Sequence, residues 1–181
     1  QMTTFPAPFE RLDWRVFSYV GKADAIAEAT PLAAYKAGTM PATSTVDLFL
    51  GKCAGSIGEI SALLLIVGGI YLICRRVITW HIPVAYIGTV ALLTFIFPKT
   101  DSRISFMLGE LVAGGLMLGA IFMATDYTTS PVTPTGRLIF GAGCGCVTVL
   151  IRYFGGYNEG VSFAILMMNM LVYYIDRFTA P

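Results

Sequence analysis

Charge is scarce in this chain of 181 residues. Only 13% of them are charged, where a soluble domain carries about a quarter. Twelve Lys+Arg against eleven Asp+Glu leave a formal net charge of +1. That excludes a binder working through strong net basic charge, so no nucleic-acid partner is expected. Histidine occurs once, at His81 beside Trp80, and reads as an interfacial or packing residue. The motifs of soluble enzymes are missing too: there is no phosphate loop, no GxSxG and no HExxH. Cys53, Cys74, Cys144 and Cys146 show neither a CxxC nor paired zinc-ligand spacing. Three of them sit in or beside apolar runs, where cysteine packs as a small hydrophobe, so no metal site is expected. A cleavable signal peptide is also lacking. Gln1 opens without an initiator Met or an apolar h-region, and the chain reads as part of something longer.

What is present is apolar. These residues make up 56% of the chain, and the mean hydropathy is +0.72. A soluble globular domain and a disordered chain are both excluded, which leaves an integral membrane protein in contact with the lipid bilayer. The chain divides near Gly55. Residues 1–56 hold ten of the twenty-three charges and four prolines, and form a polar lead. Residues 57–181 hold five apolar runs: Ile57–Cys74, Ile82–Pro98, Ile104–Ala124, Leu138–Phe154 and Val161–Ile175. With their flanks, these match the length of membrane-spanning helices. The expected fold is an all-α polytopic membrane protein with five transmembrane helices. Five is odd, so the two ends of such a bundle lie on opposite sides. A second five-helix half fused upstream would insert inverted.

Several boundaries carry helix signals. Ser56-x-x-Glu59 is a capping-box pattern ahead of Ile60. Arg75-Arg76 stop the first span, Trp80 follows as an interfacial aromatic, and Pro83 falls in the first turn of the second. Nineteen glycines include the pairs Gly68-Gly69, Gly114-Gly115 and Gly155-Gly156. Gly115-x-x-x-Gly119 and Gly141-x-x-x-Gly145 are small-xxx-small patterns that let helix backbones approach closely. Charge does not orient the bundle. Lys52, Lys99, Arg103 and Arg152 near one side balance Arg75, Arg76, Arg137 and Arg177 near the other.

Few residues stand out for chemistry. Glu110 lies a turn and a half into the third run. It is either an intramembrane carboxylate with a function or an interfacial glutamate reaching water or Arg103. Asn169 is central in the fifth run and suits a hydrogen bond between helices. The loop from Ala124 to Arg137 carries Asp126, six Ser/Thr hydroxyls and two prolines. It reads as a stiff connecting turn or as a polar re-entry lining a site. In the lead, Thr30 reads as an N-cap, Pro31 as N1 and Gly38 as the C′ stop of a two-turn helix. A phosphate carried on the Thr30 hydroxyl would meet the free N–H groups of that helix start.

These segments together resemble a known family. Gly55-Ser-Ile-Gly-Glu59, Trp80-His-Ile-Pro83, Leu118-Gly-Ala-Ile-Phe-Met-Ala-Thr-Asp126, Thr129-Ser-Pro131, Gly136-Arg137, Ile139-Phe-Gly141, Ile151-Arg152, Gly155-Gly-Tyr157 and Glu159-Gly-Val161 occur in order. The set is similar to RnfD, the D subunit of the Rnf complex, and to its relative, the B subunit of the sodium-translocating NADH:quinone reductase. The resemblance implies two inverted five-helix halves of urea-transporter type, of which this chain matches the C-terminal half. It implies FMN bonded through its phosphate to Thr30, with Asp24 and Pro31 completing the retained pattern, and a second flavin, riboflavin, in the complete subunit. Ala27-Glu28 stand where the family pattern has Ser-Gly. The implied role is electron relay in an ion-translocating NAD:ferredoxin oxidoreductase of the bacterial inner membrane, coupled to Na⁺ or H⁺ transport. The implied partners are other subunits, including an extracytoplasmic flavin subunit, and a flavin transferase for maturation. The Thr30 side is then extracytoplasmic. Glu110 and Asp126 are the candidate carboxylates for the ion pathway. Two other readings stay open: a small-solute permease, and a structural scaffold with no cofactor.

Overall fold

The computed structural model describes residues 31–36, 49–50, 61–100, 102–156 and 159–180. Among these, all regular structure is helical. The elements are α1 (Pro31–Lys36), α2 (Ala62–Cys74), α3 (His81–Ile96), α4 (Arg103–Val112), α5 (Leu116–Met123), α6 (Pro134–Phe154) and α7 (Val161–Thr179). By length and composition α6 and α7 can each cross a membrane, and α4 with α5 makes a third crossing if the bent pair is one span. The chain is therefore a helical membrane protein with two or three span-capable helices among the described residues, where five were expected. Helices α2 and α3 are apolar but hold 13 and 16 residues. At 1.5 Å per residue they fall short of a hydrocarbon core about 30 Å thick.

The ends follow local chemistry. Ser61 caps α2 by accepting from the Leu64 N–H at 3.4 Å. The Ser56 and Glu59 pattern lies outside the described residues. Helix α2 stops at Cys74, and Arg76 just beyond it takes a positive φ of 56°. Pro83 occupies the third position of α3, where no intrahelical N–H bond is lost. Thr133 caps α6 by accepting from Gly136 at 3.1 Å, with Pro134 following it, so this helix begins a turn before the apolar run does.

The core is organised around α3 and α6. A Cβ on Gly141 would lie 2.7 Å from the Ile82 carbonyl oxygen, and one on Gly145 would lie 3.0 Å from that of Tyr86. The small-xxx-small pattern here brings two backbones together, as the sequence predicts. Beside it, the Tyr86 and Thr148 hydroxyls share a buried 2.6 Å hydrogen bond, and Thr148 also donates to the Cys144 carbonyl. Cys144 is buried and free, consistent with a packing role.

The third apolar run departs from the expected single span. It breaks after Val112, and α4 and α5 meet at a bend of 63°. Ala113 is extended, and Gly114 sits at φ +73°, a region where a side chain is strained. Gly115 is then the N-cap of α5, one turn before Gly119, whose N–H donates to the Gly115 carbonyl at 2.8 Å. Gly119 packs closely against Val161. The second half of α5 is π-helical, with the Ala124 N–H reaching back five residues to Gly119 at 2.8 Å.

The connections gather at two ends. At one, Tyr127 donates to the Val77 carbonyl, Arg137 reaches Thr79, and the Val132 N–H meets the Asp176 carboxylate at 3.0 Å. At the other, Tyr153 donates to the Phe97 carbonyl at 2.7 Å, and Lys36 of α1 donates to that of Gly155 at 2.6 Å. Leu32 and Tyr35 of α1 form a small second core with Phe106 and Ala113.

Candidate functional site

The strongest concentration of chemistry lies at this second end, where α1, α4 and α6 meet beside the helix break. Glu110 and Arg152 are each 2% exposed. The Arg152 guanidinium donates through Nη1 to Glu110 Oε2 at 2.8 Å and to the Glu110 backbone carbonyl at 2.6 Å. Its Nε reaches the Glu159 carbonyl at 3.3 Å. One side chain thus neutralises a buried carboxylate and also satisfies a carbonyl in the last turn of α4. The break leaves that turn short of donors, and a cation suits its negative dipole end. This is the only ion pair among the described residues. The fourth guanidinium contact is missing: Arg152 Nη2 is buried and lacks a partner among the described residues.

Aromatic side chains build the wall around the pair. The Tyr35 ring meets Phe106 edge-on, with centroids 5.9 Å apart, and Phe106 packs on Tyr153. Lys99 lies 4.5 Å from the Tyr153 ring centroid. Gly109 leaves room for Tyr35, since a Cβ there would overlap its ring. Through these contacts α1 is seated directly on α4, one helical turn from Glu110.

The candidates read from sequence fare differently. Glu110 is buried, and its partner is Arg152 rather than the exposed Arg103. Asp126 lies at the opposite end of the bundle, exposed, in a turn where Thr128 donates to its Oδ2 at 2.6 Å. That hydrogen bond holds the Asp126 carboxyl below the usual carboxylate range. The two carboxylates therefore do not form one site. Pro31 opens α1, while Thr30 and Asp24 lie outside the described residues. The hydroxyl-rich loop is tied across the ends of α6 and α7, with Thr133 bonded to Thr179 at 2.6 Å and Arg137 to the Pro131 carbonyl at 3.0 Å. That is the connecting-turn reading. His81 stacks on Trp80 with centroids 4.2 Å apart. Asn169 makes no hydrogen bond through its buried Oδ1 among the described residues, so the expected bond between helices is absent at that atom. No group of three or more metal-ligating side chains occurs among the described residues. Sequence reading missed Arg152 as a buried residue and Gly114 as a break. The signals available were an arginine inside an apolar run and the Gly114-Gly115 pair.

The model of the NQR2, RnfD, RnfE family matches residues 1–181. The chain belongs to this family. Among curated relatives, the D subunit of the Na⁺-translocating ferredoxin:NAD⁺ oxidoreductase complex of Acetobacterium woodii is 47% identical over 90% of this chain and 50% of its own length. The D subunit of the proton-translocating ferredoxin:NAD⁺ oxidoreductase complex of Clostridium ljungdahlii is 44% identical over 96% of this chain and 55% of its own length. The D subunit of an ion-translocating oxidoreductase complex of Stutzerimonas stutzeri is 46% identical over 74% of this chain and 38% of its own length. The chain spans about half the length of the curated relatives it matches over most of its residues. In this chain α1 packs on α4 beside the buried Glu110–Arg152 pair.

Proposed function

We propose that this chain is part of the D subunit of an ion-translocating ferredoxin:NAD⁺ oxidoreductase complex, relaying electrons through FMN bonded by its phosphate to Thr30. The observation that carries the reading is identity of 44–47% with such subunits over at least 90% of this chain. Bound FMN supplies one- and two-electron chemistry, and the protein supplies position and electrostatics. Thr30 directly precedes Pro31, the first residue of α1. A group on its hydroxyl is therefore tethered to a helix anchored by Leu32, Tyr35 and Lys36. A covalent phosphoester on Thr30 would hold the flavin without a deep dinucleotide pocket.

The broader reading follows the same relatives. The five apolar runs act as five spans and form the C-terminal half of an inverted pair. Localisation is the bacterial inner membrane, with Thr30 on the extracytoplasmic side, facing an extracytoplasmic flavin subunit. A flavin transferase attaches the FMN, and riboflavin occupies the complete subunit as a second flavin. Glu110 and Asp126 serve the coupled ion at separate points, since they lie at opposite ends. For Glu110 to hold a cation, its bond to Arg152 must open. The relatives from Acetobacterium woodii and Clostridium ljungdahlii are named for different ions, Na⁺ and H⁺, so the relatives do not fix the ion.

A denaturing gel tests the flavin. Fluorescence that survives denaturation in the wild type and disappears in Thr30→Ala supports it. Wild-type protein from a host with the transferase that shows no such fluorescence contradicts it. For the ion path, Glu110→Gln slows translocation more than electron transfer; equal effects on both reject that role.

A further inference from the structure

Helices α2 and α3 follow each other in the chain but scarcely touch. Gly69 pins α2 to α5, since a Cβ there would lie 2.6 Å from Ile121 Cγ2. Gly88 on α3 has no atom within 4 Å of its own Cβ position. Between the helices opens a cleft of about 480 Å³, the size of a small-ligand site. Ile66, Ile70 and Ile73 line one wall at helical spacing, and Met117 and Ile121 line the floor. Pro83 and Val84 begin the opposite wall. Ile70 and Val84 are more than half exposed, so the cleft opens outward. No polar side chain lines it among the described residues. Water finds no hydrogen-bond partners in such a space, and hydrocarbon is the chemistry that fills it.

The cleft reaches the end of the bundle where α2 stops and α3 starts. Ile73 lies two residues before Arg75, and Pro83 lies three after the interfacial Trp80. Arg75 and Arg76 are exposed, and neither guanidinium has an ion pair or hydrogen bond among the described residues. Arg76 is also strained where it stands. The Val77 N–H reaches the Leu72 carbonyl at 3.0 Å, and the Arg76 N–H reaches that of Ile73 at 2.9 Å. This is a Schellman end, whose C′ residue is left-handed and usually glycine. Arg76 fills that position at φ 56°, the only non-glycine with positive φ among the described residues. Arg75 already supplies the cation that the helix dipole favours. The dipole therefore does not account for a second cation at a glycine position, and retained strain of this kind points to a use for the side chain.

We propose that the cleft and the arginine pair form one site for an anionic phospholipid. Its acyl chain lies between α2, α3 and α5, and its phosphate meets Arg75 and Arg76. The apolar cleft and its positive rim match the two parts of such a lipid. The inference rests on the chain lying in a bilayer and is independent of the flavin reading.

The test uses the full-length subunit in its complex, in phosphatidylcholine vesicles. Two probes are compared, phosphatidylglycerol and phosphatidylcholine, each with a diazirine on its acyl chain. Labelled peptides are mapped after irradiation, and the half-saturating fraction of each probe is read. The label should fall on residues 66–73 and 83–88, with phosphatidylglycerol saturating at a lower fraction than phosphatidylcholine. Gly88→Leu fills the open space and abolishes that label. Arg76→Gly relieves the strained cap yet raises the half-saturating fraction of phosphatidylglycerol about fivefold. Arg75→Gln/Arg76→Gln raises it further, to that of phosphatidylcholine. A wild type with no label on either stretch has protein covering the cleft, which overturns the proposal. Equal labelling by both probes, unmoved by the arginine substitutions, means bulk lipid only and also overturns it. If Gly88→Leu does not assemble, the arginine variants, which alter only the exposed cap, decide on the same readout.

Discussion

The two ends of this bundle hold similar charged residues and treat them in opposite ways. At the end bearing Asp126, the carboxylate is exposed and tied only within its own turn, chiefly to Thr128, and Arg75, Arg76 and Arg177 are exposed as well. At the end bearing Glu110, carboxylate and arginine are both buried and bonded to each other between α4 and α6, beside the α4–α5 break. The difference shows that the number of charges near a membrane boundary says little about their work. What separates a solvated charge from an ion-paired one is whether the backbone there leaves room to bury it. Gly114 leaves that room at one end, and the turn around Asp126 does not at the other.

The largest expected effect breaks the buried end. Arg152→Ala leaves Glu110 buried without its partner and the last turn of α4 without its donor. We expect a loss of about 3–5 kcal/mol, read by thermal unfolding of the purified complex in detergent. The double variant Glu110→Gln/Arg152→Gln removes both charges and recovers most of that loss. Equal losses in the single and double variants would place the cost in packing rather than charge.

Between the ends lies the glycine contact that holds α3 to α6, and it serves as a reference for pure packing. Gly141→Leu drives a side chain into the Ile82 carbonyl and Ala85. It should cost about 1–3 kcal/mol, with no change at either carboxylate. Tyr86→Phe is milder. Thr148 keeps its bond to the Cys144 carbonyl at 2.8 Å, so the expected loss is about 0.5–1.5 kcal/mol.

The smallest effect belongs to the exposed end. Thr128 holds the Asp126 carboxyl low, so this bond helps the turn above the ordinary carboxylate pKa. That help is lost as pH falls through the lowered value. In Thr128→Val the Asp126 pKa should rise toward its ordinary value, observed by NMR titration, while global stability hardly moves. A pronounced loss of stability there would remove the contrast between the ends.

Much of the helical layout is legible in the sequence. Val161 opens α7 as the apolar run suggests, α6 ends at Phe154, and Gly141-x-x-x-Gly145 marks a close helix contact. These depend on local signals: hydropathy, caps and the spacing of small residues. The break at Gly114 is not legible in that way, because a bent span and a straight one have the same composition. Gly114-Gly115 reads as packing until its positive φ is seen. The Glu110–Arg152 pair is hidden for another reason. Its members lie 42 positions apart, and only the fold of α4 against α6 brings them together. Arg152 therefore reads as one more boundary charge, and Glu110 reads toward Arg103, its nearer neighbour in sequence. The cofactor reading rests on Thr30, whose pattern is local and whose neighbour α1 is seated where the buried pair lies.

Electron relay as proposed requires a flavin attached at Thr30. The most direct measurement is the intact mass of this chain after denaturation, taken from a host that contains the flavin transferase. The account predicts a gain equal to FMN less one water in the wild type and the bare polypeptide mass in Thr30→Ala. A wild-type chain at its unmodified mass, or a gain that persists in Thr30→Ala, would contradict it.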